Sequence, residues 1–128
     1  MSSSNPLPND PYAWIDRYAA DLHQAARTLA RDLSCVVLLK GSTTIVADET
    51  GRVLVANQGG PRLATAGTGD VLSGIIGAFL ARGIPPLEAA AAGAFVHGRA
   101  GNLGWPDGLV AGDLPDLVPA VLDSLHRA

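Results

Sequence analysis

The stretch "LATAGTGDVLSGIIGAFLARG" (residues 63–83) joins a glycine-rich turn to a long apolar run, with one carboxylate, Asp70, at the junction. Glycines let a backbone approach an anion closely, and the N–H groups at a helix start can bind that anion. An aspartate in a first helical turn also has a structural explanation, since it complements the helix dipole by about 0.3–1 kcal/mol. On this stretch alone, a chemical role and a capping role for Asp70 are equally open.

The apolar run predicts a helix over residues 69–82. Large apolar side chains lie on nearly all its sides, which is typical of a helix buried on every face. Small residues between them would permit close packing against neighbours. Gly83, followed by Pro85, predicts where this helix ends.

The other predicted elements are an amphipathic helix over 11–33, a strand in "CVVLLK" (35–40) and a hairpin in "TTIVADETGRVLVAN" (43–57) that turns at 48–51. A helix over 86–100 and a last helix capped by Asp113 follow. The short run "CVVLL" is typical of a strand buried in a parallel sheet. One such strand cannot form a parallel sheet alone, so we expect an upstream half or a partner chain to complete the sheet.

Composition limits the classes of function. A chain of 128 residues with 48 % hydrophobic and 16 % charged residues predicts a folded domain or part of one, with residues 1–10 as a disordered leader and 11–128 as the folded part. A net charge of -3 argues against a nucleic-acid partner. No apolar stretch approaches the roughly 20 residues of a membrane span. The single cysteine, without a signal peptide, favours the cytoplasm.

A second candidate motif is "LLKGSTT" (residues 38–44). Lys40 follows the predicted strand, at the end where open α/β sheets bind ligands. Gly41 permits a tight turn, and the next three residues offer hydroxyl and backbone N–H groups that suit a phosphate. A strand-ending lysine that reaches solvent is the simpler explanation of this motif by itself. Lys40 and Asp70 together, each beside a glycine turn, favour a site.

Other candidates are weaker. "GTGDVLSG" lacks the third glycine of a dinucleotide fingerprint and the Gly-Lys-Ser/Thr of a P-loop. His97 in "FVHGRAG" is predicted to be a packed, hydrogen-bonded histidine rather than a catalyst. Because no second histidine or thiol stands at ligand spacing, the sequence predicts no dedicated metal site.

These segments resemble a known family. "VVLLKGSTTIVADETGRVLVAN", "AGTGDVLSGII", "HGRAG" and "GLVAGDLPDLVPAVL" are similar to the carboxy-terminal half of the NAD(P)H-hydrate dehydratase family, from about residue 12 to the end. The resemblance implies an α/β, ribokinase-like three-layer fold, present in part as the C-terminal half of that domain. The family's amino-terminal half, which carries most of the sheet and a His-Pro-Gly segment of the substrate site, has no counterpart before Pro11.

The resemblance also implies an activity. A nucleoside phosphate, ADP or ATP with Mg²⁺, would phosphorylate the hydroxyl of hydrated NADH or NADPH (NADHX or NADPHX), and loss of phosphate would restore the coenzyme. Asp70 would contact the hydrate as the catalytic base. The nucleotide would contact Lys40, Gly41, Ser42, Thr43, Thr44 and Gly69. Where the family usually has Gly-Asn-Pro, this chain has Gly59-Gly60-Pro61, so that loop is left out of the predicted site.

Two alternatives stay open. One is another ribokinase-like small-molecule kinase, because a glycine-turn aspartate is common to that superfamily. The other is a truncated fragment that binds nucleotide without catalysis, or that assembles only with a missing N-terminal half. A homo-oligomer is also expected, since an incomplete sheet exposes an edge that favours association.

Overall fold

The computed structural model describes residues 13–41, 43–57, 67–105 and 107–127. These residues form a mixed α/β structure in which a long helix precedes a small sheet, and three further helices follow it. In chain order the elements are α1 (Ala13–Leu33), β1 (Val37–Leu39), β2 (Thr44–Ala47), β3 (Val53–Ala56), α2 (Thr68–Ala81), α3 (Pro86–Leu103), a 3₁₀ turn (Ala111–Asp113) and α4 (Leu114–Arg127).

Strand β2 lies at the centre of the sheet and pairs antiparallel with both β1 and β3. All four of its residues are buried. Since successive side chains point to opposite faces of a sheet, both faces of β2 are covered. Ile45 and Ala47 pack towards α1, whereas Val46 packs towards α3. The sheet is therefore covered on both sides although it is small.

The elements form three layers, as the predicted fold class requires. Helix α1 covers one face of the sheet with Ala26 and Ala30, which are fully buried. Helix α3 covers the other face with Leu87 and Ala90. Helices α2 and α4 pack on α3 and form with it a second apolar cluster, whose buried members are Val96, Ala100, Leu109, Leu114 and Val121.

The prediction for β1 is wrong in one respect. The run "CVVLL" was expected to be a buried strand of a parallel sheet, but β1 is a half-buried strand paired antiparallel with β2. The connection between them, residues 40–43, is the reason. Parallel neighbours need a crossover of about a dozen residues or more, and so short a link permits only a hairpin. Within the described ranges, the outer edge of β1 pairs with no strand.

The predicted hairpin of β2 and β3 is confirmed, and Asp48 organises its turn. One carboxylate oxygen of Asp48 accepts bonds from the Thr50 N–H (2.9 Å), the Thr50 hydroxyl (2.6 Å) and the Arg52 N–H (3.1 Å). The hydroxyl bond from Thr50 is the largest cause of a lowered pKa for the Asp48 carboxyl, and the two backbone bonds lower this pKa further. An Asp at this turn position therefore stabilises the hairpin as the charged form.

The helix boundaries follow the predicted signals with one shift. Gly83 ends α2 in a left-handed conformation, with its N–H bonded to the Leu80 carbonyl and the Ile84 N–H bonded to the Phe79 carbonyl. Asp113 was expected to cap the last helix. It lies instead in the 3₁₀ turn that leads into α4, where its carboxylate accepts the Val110 N–H at 3.0 Å.

Helix α2 has the apolar pattern of a helix buried on every face, and in this chain it is buried on one side only, which agrees with the expectation that residues 71–80 would be left partly uncovered. Of its residues, only Thr68 and Leu72 are buried, and Leu80 is 44 % exposed. Next to its exposed residues, α2 forms with α4 an apolar groove of about 350 Å³, lined by Val71, Gly74, Ile75, Ala78, Pro115 and Val118.

The contact between α2 and α3 gives a stability prediction. A Cβ on Gly93 of α3 would lie 2.5 Å from Cγ1 of Ile76 on α2, so Gly93→Ala forces the two helices apart. We expect it to lower the free energy of unfolding by about 1–3 kcal/mol, measured by urea denaturation. Gly74→Ala is the matched control, because a Cβ at Gly74 meets nothing within 4 Å. That change should stabilise α2 by about 0.5–1 kcal/mol, and equal effects of the two substitutions would contradict the close packing.

Candidate functional site

The structure brings the two predicted motifs together. Lys40 follows β1 directly, and its ammonium group donates a hydrogen bond to the Thr68 hydroxyl across 3.2 Å. Thr68 is the first residue of α2, and it is only 2 % exposed. The end of a strand and the start of a helix, 28 residues apart in the chain, therefore form one place in the fold.

The start of α2 is shaped by Gly67, whose φ of 88° lies in the left-handed region. A Cβ there would also come within 3.1 Å of the Ala111 Cβ, so this position needs glycine for conformation and for space. The sequence pointed to Gly69 as the glycine of close approach. Gly69 is exposed, and a Cβ on it would meet nothing within 4 Å of the described atoms. Gly67 is therefore the glycine that the turn itself requires.

The N–H groups of Gly69 and Asp70, in the first turn of α2, have no hydrogen-bond partner among the described residues. The Gly67 N-cap provides no side chain, and no side-chain cap bonds to this helix end within the described residues. The Val71 N–H, which follows them, bonds the Gly67 carbonyl at 3.3 Å. Helix starts leave such donors unsatisfied, and with the helix dipole they favour an anion. The ammonium group of Lys40, which bonds the hydroxyl of the adjacent Thr68, adds a full positive charge.

Asp70 is exposed in this first turn. Among the residues that the structure describes, none forms a hydrogen bond or an ion pair with its carboxylate, and it makes no capping bond to the helix start. Asp70 thus makes no capping hydrogen bond, and its charge in the first turn still complements the helix dipole. The carboxylate is free to act on a ligand held at the helix start.

The residues of the turn between β1 and β2 differ in how exposed they are to a ligand. Gly41 and Thr43 are exposed beside Lys40, whereas Thr44 begins β2 and is only 9 % exposed, opposite Ala56. Thr44 is thus mainly a residue of the sheet. Ser42 lies outside the described residues, as does the Gly59-Gly60-Pro61 segment.

His97 is the residue whose position the sequence did not predict. It was expected to be packed and hydrogen-bonded, and it is: it is 2 % exposed on α3, with Nε2 2.9 Å from the Thr68 carbonyl oxygen. Burial, and secondarily the charge of Lys40, lower the pKa of His97 below its ordinary value. Its contact with the first residue of α2 places it behind the candidate site. The two residues are 29 apart and share no local motif, so their contact could not be predicted from the sequence.

The described residues also limit the kind of site. In the described ranges, no three His, Cys, Asp or Glu side chains stand together as metal ligands. None of the helices described has the length and apolar composition to cross a bilayer. A strand end, a lysine and an uncapped helix start are the features with which α/β proteins bind phosphate groups.

Comparison with known proteins assigns the chain within that class. The NAD(P)H-hydrate dehydratase family matches residues 12–121. The chain belongs to this family, which confirms the resemblance of its motifs. It is 42 % identical over 111 residues to a bifunctional NAD(P)H-hydrate repair enzyme of Moorella thermoacetica. It is 44 % identical over 105 residues to an ADP-dependent (S)-NAD(P)H-hydrate dehydratase of Neisseria meningitidis.

The fold agrees with solved structures of the family. An ADP/ATP-dependent NAD(P)H-hydrate dehydratase of Bacillus subtilis, co-crystallised with ATP and Mg²⁺ and soaked with CoA, has a TM-score of 0.77 and 28 % sequence identity, and the match covers 86 % of this chain. The predicted α/β fold class is therefore confirmed. The chain spans only 42 % of the Bacillus protein, 36 % of the Neisseria relative and 21 % of the Moorella relative.

His97 gives a prediction for the pH dependence of stability. Because its pKa is lowered in the folded chain, the unfolded chain binds the proton first as the pH falls. The free energy of unfolding should decrease from about pH 6.5, the ordinary histidine pKa, downward, until the folded state is protonated as well. His97→Gln should remove this part of the slope in urea denaturation between pH 7 and pH 5. An identical slope in both proteins would contradict the pKa shift.

Proposed function

We propose that this chain provides the nucleotide site of an ADP- or ATP-dependent NAD(P)H-hydrate dehydratase, a lyase of coenzyme repair. The observation that carries the proposal is the bond from Lys40 to Thr68, which sets a cation at the uncapped start of α2, two residues before an exposed aspartate. The names of the relatives support the reaction, and the Bacillus protein was crystallised with ATP and Mg²⁺.

The nucleotide phosphates would bind between Lys40 and the first N–H groups of α2. Lys40 is exposed enough to turn one of its hydrogens to a phosphate oxygen, and its bond to Thr68 limits where its ammonium group can go. Gly69, with open space above it, would leave room for the phosphate beside the helix start. From the β1–β2 turn, Gly41, Ser42, Thr43 and Thr44 would add backbone or hydroxyl contacts, although the burial of Thr44 favours its backbone.

Asp70 would act as the general base. Its exposed carboxylate could accept the proton of the hydrate hydroxyl while that oxygen attacks the terminal phosphorus of the nucleotide. The bond from the terminal phosphorus to the rest of the nucleotide would break as the new phosphorus–oxygen bond forms. Elimination of the transferred phosphate from the hydrate would then restore NADH or NADPH. The described residues supply this site with one cation, one helix start and one carboxylate.

The donor set fits a magnesium ion that arrives with the nucleotide. Magnesium is bound in such sites mainly through substrate phosphates and one or two carboxylates. The nucleotide phosphates would hold the ion, and Asp70 would stay free of it to act as the base. When bound, the ion would neutralise part of the charge of the phosphates.

The substrate side of the site would come from outside the described residues. Less than half of the length of the relatives is present in this chain, and the open edge of β1 and the apolar groove on α2 are the surfaces that a further part would cover. We propose that an N-terminal half of the domain, or in its absence a second copy of the chain, covers them. A cytoplasmic location agrees with a reaction on NADH and NADPH.

The same two open surfaces favour a second candidate, a fragment that binds nucleotide without turnover. A kinase of another substrate within the ribokinase-like class is less well supported, since the family match runs through residues 12–121.

Nucleotide binding separates these candidates. We expect calorimetry to detect ADP with Mg²⁺ on the wild-type chain, and Asp70→Asn to retain that affinity because the carboxylate does not hold the phosphates. Lys40→Met should weaken ADP binding by about 10–100-fold, the loss of a charge-assisted hydrogen bond. Asp21→Asn, an exposed aspartate on α1, is the matched control and should change nothing.

Turnover of NADHX then tests the base. With the rest of the domain supplied, Asp70→Asn should lower the rate by about 10²–10⁴-fold, the contribution of a general base. ADP binding without turnover under those conditions would favour the non-catalytic fragment. Absence of ADP binding in the wild type would contradict the proposed nucleotide site.

The groove on α2 gives a prediction about association. Ala78 lines the groove and is exposed, so Ala78→Glu places a charge there without disturbing the core. The wild-type chain should self-associate with concentration in sedimentation experiments, and Ala78→Glu should shift it to the monomer. Ala25→Glu, at an exposed alanine of α1, is the control and should leave association unchanged. A wild type that is monomeric at all concentrations would count against the groove as an interface.

A further inference from the structure

The contact between His97 and Thr68 has a defined direction. A carbonyl oxygen carries no hydrogen, so the His97 Nε2 atom must donate in the 2.9 Å bond to the Thr68 carbonyl. The neutral imidazole therefore carries its hydrogen on Nε2. A carbonyl oxygen has two lone pairs, so the Thr68 carbonyl can also accept a backbone bond within α2.

Thr68 is held by two elements of the fold. The Lys40 ammonium group bonds its hydroxyl from the end of β1, and the His97 imidazole bonds its carbonyl from α3. Thr68 and His97 are each 2 % exposed, so water does not compete at this contact. The residues that follow Thr68 are Gly69 and Asp70, whose N–H groups and carboxylate form the candidate site.

We propose that His97 is a positioning residue for the nucleotide site. Its Nε2–H group fixes the Thr68 carbonyl and thereby holds the first turn of α2 at the place where Lys40 and the helix N–H groups meet the same phosphate. This proposal rests on the proposed nucleotide function of the chain. Positioning matters here because a displacement of about 1 Å at a reacting group can cost about 10²-fold in rate.

A histidine that only fills space would behave differently from one that donates a bond. His97→Leu places an apolar side chain of similar size at this position and removes the donor. His97→Gln places an amide nitrogen near the Nε2 position and retains a donor for the Thr68 carbonyl. Neither variant has an aromatic ring, so the loss of the ring affects both equally and their difference reports the hydrogen bond.

The experiment uses the 128-residue chain with three measurements. Long-range ¹H–¹⁵N spectra of the wild type should show His97 with its hydrogen on Nε2. Amide spectra should show the Gly69 and Asp70 signals shifted from their wild-type positions in His97→Leu and closer to those positions in His97→Gln. Calorimetry with ADP and Mg²⁺ should show affinity lowered about ten-fold in His97→Leu and within about two-fold of wild type in His97→Gln. Thermal melts would establish that both variants fold.

The outcomes separate the two proposals. A hydrogen on Nδ1, or Leu and Gln variants with the same Gly69 and Asp70 signals and the same ADP affinity, would overturn the positioning role. If the wild type binds no ADP, the nucleotide function fails, and the amide spectra still decide whether His97 holds the start of α2. If His97→Leu does not fold, the tautomer of the wild type and the ADP affinity of His97→Gln decide. The positioning role requires a hydrogen on Nε2 and a His97→Gln affinity close to that of the wild type, and the opposite result for either would overturn it.

Discussion

The hydrogen bond from the Lys40 ammonium group to the Thr68 hydroxyl is the interaction on which the candidate site depends. It joins the hairpin layer to the helical layer at the one point where the first turn of α2 is open to a ligand. Without it, the cation of Lys40 would be free to point into solvent, as strand-ending lysines ordinarily do. With it, a positive charge and the uncapped N–H groups of a helix start face the same space, and the field favours an anion.

The packing of the helical layer supports that arrangement. Gly93 lets α3 approach Ile76 of α2 without a side chain between them, and α3 in turn rests on β2 and β3 through Leu87 and Ala90. The left-handed Gly67 then turns the chain into α2 next to Ala111. The position of α2 thus depends on contacts with α3 and with the segment before α4. Part of α2 away from this start, by contrast, is exposed, with Leu80 at 44 %.

Much of the local structure could be predicted because its signals are local. The Asp48 turn, the Gly83 helix end and the helical periods of α1, α3 and α4 each arise from residues within one or two turns of one another. The direction of β1 was mispredicted, because an apolar run indicates burial and not the direction of pairing. The short link between β1 and β2 indicates the antiparallel direction, because it permits only a hairpin. For the site, Lys40 and Asp70 could be predicted from their glycine turns and the family motifs, whereas Thr68 and His97 could not, since their contact spans 29 residues.

The charges around Thr68 explain why a histidine suits the buried position. Lys40 already contributes a cation at this point, and a second cation behind it would repel the first in a region with little water. Burial and the Lys40 charge both lower the pKa of His97, so the imidazole stays neutral and can donate to the Thr68 carbonyl without adding charge. A lysine or arginine there would donate equally well but would bury an unpaired charge, which is costly. The candidate site therefore has its positive charge on the exposed side and a neutral donor on the buried side.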